Sequence, residues 1–158
     1  MAVDKAVRPT VKKMLGPLAF FVAGAKGLMD TDRFTVTING HEVGDCLMAG
    51  VGNGKTAGGG YLLWPDADPT DGRLAAVALS VSDASEGLAV ARSAKNGSIT
   101  ELDNVYATSA DKIEISAAPD IEFNVDGDLF DLTTPATFEV VGKVQMLVPT
   151  ERVDRLPR

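Results

Sequence analysis

Two stretches of this chain carry acidic residues whose spacing suits chemistry. The first is Asp126-Gly127-Asp128. A carboxylate beside a cleft can act as a general base. The same tripeptide also suits a plain hairpin turn, because Asp-Gly accepts the positive φ such turns need. The second is "PDADPTDG", which gathers Asp66, Asp68 and Asp71 ahead of Gly72 and Arg73. Carboxylates and loop carbonyls at that density can hold a hard cation. It is not an EF-hand loop, whose twelve-residue spacing and closing Glu are missing. A solvated acidic turn is the alternative.

A third stretch, "AGVGNGKT" at residues 49–56, resembles a nucleotide-binding P-loop at first sight. A P-loop cradles phosphate because a helix starts at its Lys-Thr and offers free N–H groups and a positive dipole end. Here Lys55-Thr56 runs into Ala57 and then Gly58-Gly59-Gly60. Three glycines in a first helical turn would each cost about 1 kcal/mol relative to Ala. The strict motif's first glycine is Ala49. A glycine-rich connection between two strands is therefore expected, with Lys55 and Arg73 as solvated loop charges.

The elements that must position these residues follow from pattern. The 158 residues fit one domain, and 45% apolar content can fill a core. A net charge of −7 argues against a nucleic-acid partner. Cys46, the single cysteine, lies in an apolar run and reads as a small buried hydrophobe. One cysteine permits no internal disulfide and is compatible with a reducing cytoplasm. His41, the single histidine, sits beside an expected turn, so a His-based triad is not expected. The longest apolar run, Met14–Ala25, is shorter than the roughly 20 residues that span a bilayer.

Residues 1–9 read as a flexible lead and 150–158 as a polar tail. A helix is expected from about Thr10 to Met29. Phe34, Val36 and Ile38 alternate with Thr35 and Thr37 as a half-buried strand, and Asn39-Gly40 turns it into the next. "GGYLLWP" and "RLAAVALSV" read as further strands. A second helix follows, with Asp83 and Glu86 at its start and Asn96-Gly97 at its stop. Short strands then fill the rest: "NVYATSA", "KIEISA", "IEFNV", "LFDL", "TFEVVG" and "VQMLVP". The fold class expected is mainly β, a β-sandwich-like domain with two helices.

The order of several motifs resembles the diacylglycerol kinase and sphingosine kinase superfamily of lipid kinases. Asn53-Gly54, Gly58-Gly59-Gly60, then Pro65, Ala67, Asp71-Gly72 and Leu74 stand in that family's order. "NVDGDLF" resembles its Asp-Gly-Glu segment, "VQMLVP" its closing Leu-Val-Pro strand, and "LGPLAFFVAGAKGL" the helix leading into its β-rich domain. The resemblance covers residues 10–149. It implies the C-terminal domain of an ATP- and Mg²⁺-dependent lipid kinase, acting on diacylglycerol or a related lipid alcohol. It also implies a partner: the N-terminal nucleotide-binding domain, whose Gly-Gly-Asp-Gly-Thr run is not in this sequence. That domain would bind ATP, and the isolated chain would be inactive without it.

By position, Asp128 matches the family's proton-accepting Glu, and Asp126 the Asp that orients the site or assists metal. Asp128 departs from the pattern by one methylene, which shortens its reach. The implied Mg²⁺ ligands are the Asp71 carboxylate and oxygens of Asp68 and Arg73. The resemblance implies a cytoplasmic protein with peripheral membrane contact. A non-catalytic β-sandwich module that binds lipid or protein is the alternative.

Overall fold

The computed structural model describes residues 32–126 and 128–146. The helix expected over 10–29 and the tail at 150–158 lie outside the described residues. β1 (Phe34–Ile38) and β2 (His41–Gly52) form the first hairpin. Asn39 (φ 47°) and Gly40 (φ 81°) supply the two positive φ angles of its turn. Asn39 also ties the turn to a strand far along the chain. Its Nδ2 donates to the Lys112 carbonyl (3.1 Å), and its Oδ1 accepts from the Glu114 N–H (2.7 Å).

Next come two two-residue strands, β3 (Thr56–Ala57) and β4 (Tyr61–Leu62), and then β5 (Leu74–Ser80). The helix α1 (Ala84–Asn96) precedes β6 (Val105–Ala110), β7 (Lys112–Ala118), β8 (Glu122–Val125), β9 (Asp128–Thr133) and β10 (Ala136–Glu139). Six strands form one antiparallel sheet in the order β10-β7-β1-β2-β5-β6. The β3–β4 and β8–β9 hairpins are separate two-stranded sheets.

Apolar residues pack on both faces of the large sheet, and β5 accordingly reads as a continuous apolar run up to Ser80. On β5, Val77 and Leu79 point to one face, where Leu63, Trp64, Val81, Val90 and Ile99 pack. Ala76 and Ala78 point to the other, with Val36, Ile38, Cys46, Ile113 and Ile115. Cys46 is fully buried, as its setting predicts, and burial pushes its thiol pKa up.

Helix α1 begins where the sequence predicts. Asp83 Oδ1 accepts from the Ser85 N–H (2.7 Å) and the Glu86 N–H (3.0 Å), while Glu86 Oε2 accepts from the Ser82 N–H (2.7 Å). It ends at Gly97 in the left-handed region, φ 86°, whose N–H donates to the Ser93 carbonyl. Gly87, Val90 and Ala94 make the buried stripe, and two of the three are small, which lets the helix approach its neighbours closely.

Two strand expectations are corrected. "GGYLLWP" holds only the short β4, because Leu63 and Trp64 leave the strand to enter the core beside α1. "VQMLVP" is unpaired over its described residues, 144–146, where Val144 and Met146 stay exposed. Of the two helices expected, α1 is described, followed by a single 3₁₀ turn at Ile99–Glu101.

Candidate functional site

The P-loop reading ends at Lys55. No helix starts there: Thr56–Ala57 is β3, and Gly58, Gly59 and Gly60 form the β3–β4 turn with φ of 48°, 91° and 90°. A side chain would be strained at each of those φ values. The Lys55 carbonyl accepts the Trp64 N–H at 3.2 Å, closing the loop on itself. The earlier glycines have another reason to be small. The Trp64 indole lies on β2, and a Cβ at Gly52 would sit 2.5–2.8 Å from three of its ring carbons.

Asp126 and Asp128 flank the β8–β9 turn. Val125 pairs with Asp128, and Asp126 lies in the turn between the two strands. Asp126 has φ 51°, a conformation Asp accepts because its short side chain can bond locally. Both carboxylates are exposed. The hairpin packs over one end of the large sheet. Phe123 meets Phe138 edge-on, with ring centroids 5.9 Å apart. Thr134, 4% exposed, exchanges hydrogen bonds with Ile121: its N–H donates to the Ile121 carbonyl, and its Oγ1 accepts the Ile121 N–H.

Between hairpin and sheet lies a cavity of about 470 Å³. Val51, Leu74, Ile115, Phe123 and Phe138 line it, and the exposed Asn53 and Asp126 stand at its edge. An apolar hollow with a few polar groups at one side suits a ligand with a greasy body and a polar end. Asp128 shares the hairpin face of Val125, because directly opposed residues of an antiparallel pair project together.

Asp68, Asp71 and Arg73 meet in a different cavity of about 360 Å³, whose walls include Trp64, Val77 and Thr108. Hydrogen bonds within the acidic loop set its shape. Asp68 Oδ1 accepts from the N–H (2.8 Å) and Oγ1 (2.7 Å) of Thr70, and Asp71 Oδ1 accepts the Arg73 N–H at 2.7 Å. The bonds from Thr70 hold the Asp68 carboxyl below the usual carboxylate range.

Arg73 is not a free loop charge. Its Nε donates to Ser109 Oγ at 2.9 Å and its Nη2 to the Ser109 carbonyl, pinning the loop to β6. Nothing at the sequence level pointed to Ser109, which is 36 residues away. Lys143 Nζ reaches the Thr70 carbonyl at 2.7 Å.

Among the described residues, no three or more His, Cys, Asp or Glu side chains group as a metal site. One carboxylate with backbone oxygens remains a fitting donor set for a partly hydrated hard cation. Asp71 commits one oxygen to its turn, accepting the Arg73 N–H. Asp126 and the loop residues Asp68, Asp71 and Arg73 thus line separate cavities, and Asp128 lines neither of the two. The ends of β2 and β5 stand between them, with Leu74 on one cavity and Ala75 on the other.

Residues 2–148 match the family model of the YegS C-terminal NAD kinase beta sandwich-like domain. The chain belongs to that family. Over 122 residues it is 38% identical to proteins named "Probable lipid kinase YegS-like" from Yersinia pestis (strain Pestoides F) and Yersinia pseudotuberculosis serotype O:1b (strain IP 31758). That match takes 75% of this chain and 40% of each relative, so the chain spans less than half of their length. Two solved structures of a "putative diacylglycerol kinase" from Bacillus anthracis str. Sterne share the fold. They give TM-scores of 0.55 and 0.57 at 19% identity, covering 88% and 87% of this chain and 48% and 47% of theirs. Among the described residues no helix is long and apolar enough to cross a membrane.

Proposed function

We propose that this chain is the lipid-substrate and catalytic-carboxylate half of an ATP- and Mg²⁺-dependent lipid kinase of the diacylglycerol kinase type. The observation that carries the reading is the apolar cavity of about 470 Å³ with Asp126 at its edge. An acyl chain would lie against Val51, Phe123 and Phe138, leaving its hydroxyl end beside the hairpin tip. Asp128 takes the hydroxyl proton as the oxygen bonds to the γ-phosphorus of ATP and the bond to the departing ADP breaks, and Asp126 orients the site. ATP is held mainly by a nucleotide-binding half such as the family's N-terminal domain. Mg²⁺ would be held by Asp71 with oxygens of Asp68 and Arg73, where it would brace the loop and add positive charge. A cytoplasmic protein meeting the membrane only at its surface fits this reading.

The test joins this chain to the nucleotide-binding half of the Yersinia relative and measures phosphate transfer from ATP to a short-chain diacylglycerol. Activity in the joined protein, its loss with Asp128→Asn, and none in the separate chain are expected. Turnover by the separate chain that Asp128→Ala abolishes would refute the division of labour. One observation favours a second reading, a non-catalytic binding module: Asp128 stands where the family resemblance expects the longer Glu. In that case the joined protein stays inactive with Asp128, Asp128→Glu and Asp128→Asn alike.

A further inference from the structure

Trp64 is the chain's one tryptophan and is 9% exposed. It touches both cavities' surroundings without belonging to either candidate carboxylate set. One side of its indole faces the end of β2. An added Cβ would lie 2.5, 2.6 and 2.8 Å from Cε3, Cδ2 and Cζ3 at Gly52, and 3.2 Å from Cζ2 at Gly50. Its other neighbours are core residues, including Leu63, Ala67 and Val77. Gly50 and Gly52 in turn line the apolar cavity next to Asn53. Trp64 is therefore the buttress behind the wall that faces the β8–β9 hairpin.

The indole's polar atom strengthens this reading. Nε1 is buried and has no hydrogen-bond partner among the described residues. An orphaned buried donor is unfavourable, so hydrogen bonding does not explain the side chain's place. Its flat area against two side-chain-free residues does.

We infer that Trp64 is a positioning residue for the lipid. It holds Gly52-Asn53 at the distance from the hairpin that leaves room for an acyl chain. This inference rests on the proposed lipid function. The mechanics follow from packing. Trp64 packs in the core cluster of Leu63, Ala67 and Val77, although it also borders the smaller cavity, and that packing resists displacement, whereas Gly52 opens on the larger cavity. A methyl at Gly52 thus drives the end of β2 into the cavity. Removing the indole lets the same segment fall back and leaves Asn53 unplaced. Misplacement by about 1 Å can cost on the order of a hundredfold in an aligned site.

Three variants separate positioning from simple folding. Trp64→Phe keeps a ring on the glycines and removes the orphaned donor. Trp64→Ala removes the ring, and Gly52→Ala crowds it. Binding of dioctanoylglycerol in detergent micelles to each folded variant is measured by calorimetry, with amide hydrogen exchange in the same samples. Trp64→Phe should bind like the parent chain. Trp64→Ala and Gly52→Ala should weaken binding at least about tenfold. In both of them exchange should quicken at the amides of Gly52, Asn53 and Trp64, while the β1–β7 ladder stays protected.

Binding within about twofold in all three variants overturns the inference, as does unchanged exchange at those amides. Equal weakening by Trp64→Phe overturns it too, since the ring would not be what matters. Failure of the parent chain to bind the lipid refutes the functional reading and, with it, the lipid role of Trp64. Exchange then still decides whether the indole fixes the wall.

Discussion

Asp126 offers the sharpest separation between a turn residue and a working carboxylate. It sits at φ 51° in the turn between β8 and β9, and its side chain is exposed at the cavity's edge. Asn accepts the same backbone conformation, so Asp126→Asn should change stability by less than about 0.5 kcal/mol. Asp126→Ala places a Cβ in the left-handed region, at about 1–2 kcal/mol. For a domain of this size each kcal/mol lowers Tm by roughly 2–4 °C. Asp126→Gly relieves the strain and should stay near the parent. In the protein joined to a nucleotide-binding half, all three should lose phosphoryl transfer, by about a hundredfold or more if the carboxylate acts directly on the site. Thermal melting and initial rates on a short-chain diacylglycerol measure the two effects on the same samples. A full rate with Asp126→Asn would reduce this residue to a turn former. A melt as deep for Asn as for Ala would refute the backbone argument instead.

Other expectations are simpler. Lys55→Ala should change neither Tm nor the ATP dependence of the joined enzyme by more than experimental error, because no helix N-terminus stands behind that exposed lysine; a large rise in the KM for ATP would revive the P-loop reading. Gly97→Ala should destabilise the domain by about 1–2 kcal/mol in chemical denaturation, since Gly97 ends α1 at φ 86° and its new Cβ would meet Leu62 at 3.3 Å. The hydrogen bonds from Ser85 and Glu86 depress the Asp83 pKa in the folded chain. Its contribution is therefore present above the unfolded carboxylate pKa and fades as pH falls through the lower folded value. Asp83→Asn, which still caps, should flatten that part of the acid limb in pH-dependent melting, and an unchanged limb would count against the cap's role.

How much could be read without coordinates depended on the range of the forces involved. Local chemistry sufficed for the β1–β2 hairpin, because Asn39-Gly40 carries its own φ preference. The cap at Asp83 and the stop at Gly97 act within one helical turn, and both stand where the residues predict. Alternation on β1 and the apolar run of β5 marked the sheet, since burial on one face or two leaves its own period. The three glycines ahead of Tyr61 were enough to make a helix at Lys55 implausible.

Other features needed the folded chain because their causes lie far apart in sequence. Leu63 and Trp64 look strand-like in isolation, yet a place in the core beside α1 outweighs two more ladder positions. The bonds from Asn39 to β7 and from Arg73 to Ser109 join residues with no sequence relation. Gly52 must be small because the Trp64 indole, twelve residues on in the chain, lies against it. The sequence by itself determined a mainly β domain, its turns, its caps and the acidic residues worth testing. Only the tertiary structure decided that Asp126 and the Asp68, Asp71 and Arg73 loop line different cavities, because a cavity exists where distant surfaces fail to meet.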